Sequence, residues 1–133
     1  MKKCAFCNLK KREILKSNKY AILILAKAPY SKDHLLVMPK KHHLTIRSLN
    51  INGKRDIEKL TFYGLKKLHK KHKNVSILYR EGNKKEIGKS VNHLHIHLIP
   101  EIKIGSKNIK NEKRKVFSKK NYIKKIDEFK KKF

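Results

Sequence analysis

His93, His95 and His97 alternate with Leu94, Ile96 and Leu98 in the stretch Val91–Pro100, which reads V-N-H-L-H-I-H-L-I-P. Successive side chains of a strand point to opposite faces, so this spacing predicts three imidazoles on one face and aliphatics on the other. At a rise of roughly 3.3 Å per residue, neighbouring histidines stand roughly 6.6 Å apart. A helix would scatter the rings around its circumference. Imidazole titrates near neutrality, binds metals and, when unprotonated, is a nucleophile, so the row can serve covalent or acid–base chemistry. A strand H-x-H can also place two rings on one metal, which makes a catalytic zinc or iron centre a second reading. Cys4 and Cys7 are the only cysteines and are spaced C-x-x-C. A disulfide across so small a loop in a cytosolic chain would stabilise little, which leaves redox or metal use.

These residues need elements to hold them. Tyr20–Ala26 is a continuous apolar run rich in strand formers and predicts a strand covered on both faces. Pro29–Asp33 is turn chemistry, and His34–Met38 reads as a second strand stopped by Pro39. Lys40–His43 leads into Leu44–Leu49. Asn52 and Gly53 precede a helix expected over Lys54–Lys73, with Ile57, Leu60, Thr61, Gly64, Leu65 and Leu68 at helical steps. His69 and His72, near its basic end, suit the helix dipole and are given no chemistry. Val75–Tyr79 is a third strand, and Glu81–Lys89 a polar loop feeding the histidine strand. Glu101–Lys115 is a basic connection, after which Ser118 can cap a last helix. Its stripe of Tyr122, Ile126, Phe129 and Phe133 fits core or a dimer contact. Asn8–Ser17 carries no clear pattern. Without regular alternation of strands and helices, the order favours α+β over a wound parallel sheet.

The chain has 133 residues, enough for one domain with a real core. No apolar run approaches the roughly 20 residues of a membrane span, and no apolar signal-peptide stretch follows Met1–Cys4. A cytoplasmic, soluble protein is expected. There are 37 Lys+Arg against 10 Asp+Glu, a formal charge of +27. Nucleic acid or another polyanion is the functional reading of that excess. Codon composition is the other: the bases are nearly all Lys, Ile and Asn are abundant too, and all three use A/T-rich codons. Arg, the bidentate phosphate reader, occurs only at Arg12, Arg47, Arg55, Arg80 and Arg114. The spread of Lys along the chain favours composition, with weak attraction to nucleic acid as a by-product.

H-x-H-x-H followed by two apolar residues lies downstream of His34-Leu35-Leu36-Val37-Met38-Pro39-Lys40-Lys41-His42, with Cys4-Ala5-Phe6-Cys7 before both and Gly88-Lys89-Ser90 just ahead of the triad. This combination resembles the histidine-triad (HIT) superfamily of nucleotide hydrolases and transferases, with motifs spanning Cys4–Pro100. The form P-Y-x-x-x-H-L-L-V-x-P is closer to its dinucleoside-polyphosphate branches than to its phosphoramidases. The resemblance implies one HIT-like domain over residues 1–133, with 101–133 a basic extension carrying a helix. It implies an antiparallel five-stranded sheet with a long helix across it, commonly paired as a homodimer. The implied reaction is attack on the α-phosphorus of an AMP-type or dinucleoside polyphosphate substrate. His95 would be the nucleophile, forming a nucleotidyl-histidine that water resolves. His97 and His34 would position phosphate and set the nucleophile's tautomer, and Ser90 would contact phosphate or the leaving oxygen. Gly88, Lys89 and Val91 join Ser90 around the phosphate, with the N–H groups of Ser90 and Val91 as oxyanion donors; Phe6 and Leu9 would border the base.

In a subset of the family a structural zinc sits on C-x-x-C and two histidines, here Cys4, Cys7, His42 and His93, with His43 as a substitute for His42. Four donors and no open position make that site structural. The chain also departs from the family. Asp33 replaces the usual Gly before His34, which asks for a different turn and brings a carboxylate close. Ala26 falls where Asp or Asn meets the ribose, and Lys89 replaces Gln. The phosphate-contacting Asn falls near Gly82 and Asn83. Three functions follow from the residues: the nucleotide hydrolase or nucleotidyltransferase, an enzyme removing 5′-adenylate from nucleic acid ends, and a non-catalytic zinc-containing binding module.

Overall fold

The computed structural model describes residues 4–82, 91, 93–102 and 115–133. Five strands form an antiparallel sheet: β1 (Ile14–Ser17), β2 (Ala21–Leu25), β3 (Leu35–Pro39), β4 (Val75–Tyr79) and β5 (Ile96–Pro100), in the spatial order β1-β2-β3-β5-β4. Helix α1 (Ile51–Leu68) carries the chain from β3 to the far edge, so that β5 returns between β3 and β4. A second helix, α2 (Lys119–Lys132), follows the sheet. The α+β sheet with one long helix across it is as expected.

The central strands β2 and β3 are buried at every position, which is why their sequences are unbroken apolar runs. Leu23, Leu25, Leu35, Val37 and Leu98 face α1 and α2, against Ile57, Leu60, Leu68, Tyr122, Ile126 and Phe129. Ile22, Ile24, Ala26, Leu36 and Met38 face the other way, under Phe6 with Cys4, Leu9 and Val91 beside it. The C-x-x-C segment therefore covers the sheet face opposite the helices. On α2, Ser118 Oγ accepts from Asn121 N at 3.2 Å and caps the helix as expected. Its stripe is core, and the Tyr122 hydroxyl donates to the Leu25 carbonyl at 2.6 Å.

Several boundaries differ from the sequence reading. The histidine strand begins at Ile96 rather than Val91; His93, Leu94 and His95 precede it, with Leu94 N bonded to the His43 carbonyl at 2.6 Å. That single bond to a loop replaces a ladder partner, because β3 pairs with β5 only across Val37↔Ile96, Leu36↔His97 and Leu35↔Leu98. Helix α1 starts at Ile51 and ends at Leu68, so Asn52 and Gly53 lie inside it. The cap is Asn50, whose Oδ1 accepts from Gly53 N at 2.7 Å. Pro39 closes β3 as its last residue. Strand β1 falls in the segment that carried no pattern. Gly88, Lys89, Ser90 and Asn83, and most of the Glu101–Lys115 connection, lie outside the described residues.

Candidate active site and metal centre

The register Leu36↔His97 puts the His97 side chain on the same face as Leu36 and Met38, and His34, two residues before Leu36, on that face too. His34 Nε2 and His97 Nδ1 are 2.9 Å apart, and both rings are buried. The Tyr30 backbone N–H donates to His34 Nδ1 at 3.1 Å. That donor fixes the rest by elimination: His34 Nδ1 accepts, so its Nε2 carries the proton and donates to His97 Nδ1. His97 in turn keeps its proton on Nε2. Tyr30 stacks on His34 at 5.6 Å, and Arg80 reaches the Tyr30 hydroxyl at 3.4 Å. Tyr30 belongs to the P-Y-x-x-x-H motif, though no role for it is legible from the motif alone.

The next ring is held in the same manner. His95 Nδ1 lies 2.6 Å from the His93 carbonyl oxygen, so Nδ1 is the protonated nitrogen and Nε2 carries the lone pair. The His95 and His97 rings meet edge to face with centroids 4.8 Å apart. Phe6 sets its ring edge against His95 at 5.2 Å and against His93 at 5.8 Å. Leu9 and Val91 pack into the same apolar cluster.

His93 faces a different chemistry. Its Nε2 donates to the Pro39 carbonyl at 3.0 Å, which leaves Nδ1 unprotonated and aimed at Cys4 Sγ (3.3 Å) and Cys7 Sγ (3.4 Å). His42 Nδ1 lies 3.3 Å from Cys7 Sγ. The four donor atoms all fall within 4.8 Å of one another. A tetrahedral zinc with Zn–S near 2.3 Å and Zn–N near 2.05 Å has S···N edges of about 3.5 Å, so the donors fit that ion in type and spacing. Burial pushes the His93 pKa down to about 4, keeping the ring in its neutral, ligating form. Burial and the neighbouring Cys4 thiol push the Cys7 thiol up, so proton release would accompany metal binding. His43 turns away to Ser48 Oγ at 2.8 Å, so of the two adjacent histidines it is His42 that stands beside the thiols.

Sequence reasoning missed one further contact. His72 lies past the end of α1, and its Nε2 bonds Asp33 Oδ2 at 2.7 Å rather than only facing the helix dipole. Asp33 itself adopts φ 68, so the turn before His34 keeps a left-handed residue without the glycine.

The HIT domain model matches residues 9–104. A curated relative, adenosine 5′-monophosphoramidase of Schizosaccharomyces pombe, is 31% identical over 101 residues, covering 73% of each chain. The crystal structure of Plasmodium falciparum diadenosine triphosphate hydrolase superposes with a TM-score of 0.73 at 25% identity, covering 92% of this chain and 77% of that one. A zinc-bound histidine triad family protein from Mycobacterium smegmatis shares the fold, with a TM-score of 0.66 at 18% identity over 95% of this chain and 91% of that one. Matched by the HIT domain model from residue 9 to 104 and 31% identical to the Schizosaccharomyces pombe relative over 73% of its length, this chain belongs to the HIT family.

Proposed function

We propose that the protein is a nucleotide hydrolase or nucleotidyltransferase that attacks the α-phosphate of an AMP-type or dinucleoside polyphosphate substrate with His95. The observation that carries this reading is the 2.6 Å bond from His95 Nδ1 to the His93 carbonyl, which presents a basic Nε2. In the first step Nε2 forms a bond to phosphorus and the bond to the leaving group breaks, its electron pair going to that group, which takes a proton from solvent. In the second, water attacks phosphorus and gives up a proton to solvent, the N–P bond breaks with its electron pair returning to Nε2, and the nucleotide leaves. Dividing one displacement into two lowers each barrier. The protonated Nε2 of His97, fixed by His34, is the donor that would meet a phosphate oxygen. Ser90, Lys89 and Gly88 are assigned to the phosphate and leaving group, with the Ser90 and Val91 N–H groups as donors. Phe6 and Leu9 are assigned to the base.

Cys4, Cys7, His42 and His93 are the proposed holders of a structural zinc, which would tie the N-terminal segment to the residues preceding β5. Bound there, the ion would stabilise the fold and supply no reaction step. Pairing into a homodimer is part of the reading: β4 pairs only with β5 among the described strands, and Ile77 on it and Phe62 on α1 are more than half exposed. Two unpaired thiols suit a reducing, cytoplasmic setting, and no helix among the described residues is long and apolar enough to cross a membrane.

The test is intact-mass analysis after incubation with AMP-phosphoramidate or a diadenosine polyphosphate. A transient gain of one AMP on His95, with turnover lost in His95→Ala, is the expected outcome. Turnover retained in that variant would refute the assignment. One observation favours a second reading, removal of 5′-adenylate from nucleic acid ends. Contact with Lys10, and then repulsion from Lys10 and Arg12, push the Lys119 ammonium below its ordinary range despite nearby Glu13, a crowding that a polyanion would relieve. Adenylated ends bound no more tightly than bare ends would eliminate it.

A further inference from the structure

Asp33 links the start of the site to two elements distant in sequence. Its φ of 68 is the left-handed region disfavoured for residues with a Cβ, and it delivers the chain directly into His34. Its side chain is only 9% exposed. One oxygen, Oδ2, accepts from His72 Nε2 at 2.7 Å and from Lys132 Nζ at 2.9 Å, residues 39 and 99 positions away. Burial alone would raise this carboxyl; the two donors outweigh it and hold the group below the usual carboxylate range.

The other nitrogen of His72 faces Glu101 Oε2 at 3.5 Å. Glu101 is the first residue past β5, has φ 58, and accepts from Lys73 N at 2.8 Å and Asn74 Nδ2 at 3.2 Å. The register Leu35↔Leu98 puts Asp33 and Glu101 at the same end of the β3–β5 pair. There Ser31 Oγ also donates to the Pro100 carbonyl at 2.6 Å. His72 thus ties the turn that supplies His34 to the turn that follows the strand of His97.

Phe133 closes this joint. Its ring stacks on His72 with centroids 6.2 Å apart and on Phe129 at 4.3 Å. Lys67 Nζ holds its carbonyl at 3.3 Å. Lys132 and Phe133 lie beyond residues 9–104, the part matched by the family model.

We infer that His72 and the end of α2 are positioning elements for the His34–His97 pair, acting through the Asp33 carboxylate that they hold in place. The inference rests on the proposed function only in taking that pair to serve catalysis; the geometry of the joint stands without it. Asp33 locks the turn, the turn sets the Tyr30 N–H on His34 Nδ1, and that bond decides which nitrogen of His97 carries its proton. A joint that slackens lets the pair lose its single tautomer before the sheet loses its fold.

The test compares Asp33→Asn, Asp33→Gly, His72→Ala, His72→Gln and Lys132→Met in the full chain. Three quantities are read: the thermal midpoint, kcat and KM on AMP-phosphoramidate, and the ¹⁵N resonances of the His34 and His97 rings. Asp33→Asn and His72→Ala should lower kcat about 10-fold with KM within about twofold, the pattern of a misplaced group rather than lost binding. The ring resonances should move toward tautomer averaging. His72→Gln, which keeps an N–H donor, should recover part of both changes. Asp33→Gly relieves the backbone but lacks the carboxylate, and should recover neither. Lys132→Met should shift the resonances in the same direction as Asp33→Asn. Variants that lower the thermal midpoint while kcat and the ring resonances stay at parent values would overturn the inference. Should the parent turn over neither AMP-phosphoramidate nor a diadenosine polyphosphate, the proposed function fails, and the resonances still decide the joint.

Discussion

Gly64 is where α1 comes nearest the sheet, and Gly64→Ala is a measurable contest between two known effects. A Cβ at this position would stand 2.6 Å from Leu98 Cδ1, 3.5 Å from Leu35 Cδ1 and 3.6 Å from Leu23 Cδ1. The first distance is an overlap of about 1 Å relative to ordinary carbon contact. Leu98 would have to rotate away, but it is fully buried and its neighbours Leu35 and Leu23 are already at contact. Overpacking of this kind costs about 1–3 kcal/mol. The gain in helix propensity from Gly to Ala is about 1 kcal/mol. The overlap wins, leaving a net destabilisation of about 1 kcal/mol and at most about 2. For a chain of this length that lowers the thermal midpoint by about 4 °C, and at most by about 7 °C.

Gly53→Ala is the control. It lies in the first turn, where the propensity gain is smaller than in a helix interior, and its Cβ meets Asn50 Oδ1 at a tight 3.3 Å and Leu49 Cβ at 3.6 Å, so a small gain and a small contact cost offset each other. Thermal unfolding followed by circular dichroism, supported by urea midpoints, separates the two. Gly64→Ala should fall below the parent and Gly53→Ala should stay near it. A Gly64→Ala midpoint at or above the parent, or a parallel shift of both variants, would refute the packing argument. Because Leu98 and His97 point to opposite faces, kcat should change far less than the midpoint does.

Three further outcomes follow from the same contacts. Protein purified without added metal should carry about one zinc per chain; a chelator should then lower the midpoint, since an ion at 100 times its Kd contributes about 2.7 kcal/mol, and Cys4→Ala should abolish the chelator effect. The lowered Asp33 pKa gives a pH prediction: a carboxylate depressed on folding adds stability above its unfolded pKa and loses it as pH falls through the folded value. The stability difference between the parent and Asp33→Asn should therefore be flat above about pH 5 and shrink below about pH 4, as urea titrations would show. Tyr122→Phe removes the donor to the buried Leu25 carbonyl and should cost about 1 kcal/mol in urea unfolding, with no change in KM.

Much of the site could be read from the chain because its signals are local. The alternation of His93, His95 and His97 with aliphatics, the C-x-x-C spacing and the unbroken apolar runs of β2 and β3 each lie within a few residues. So do the helical steps of Ile57–Leu68 and the Ser118 cap. Strand β1 escaped notice because Ile14–Ser17 is an edge strand, half-buried at two positions and exposed at two, with a register shift between Ile14 and Lys16. The start of α1 was misplaced by reading Asn52-Gly53 as the breaker. Asn50 supplies the cap, and Gly53 N is the group it satisfies.

The sequence by itself determined which residue types could meet: three imidazoles, two thiols and the helices and strands that a period of 3.6 or 2 prescribes. Tertiary structure decided what each ring does. Three equivalent-looking histidines became different because each faces a different partner: the Pro39 carbonyl turns His93 toward the cysteines, the His93 carbonyl orients His95, and His34 fixes His97. The choice of His42 over His43, and the joint of Asp33, His72 and Lys132, rest likewise on contacts between residues far apart in the chain. An imidazole's tautomer and a carboxylate's charge are set by the donor or acceptor a few ångströms away, and only folding determines which atom that is.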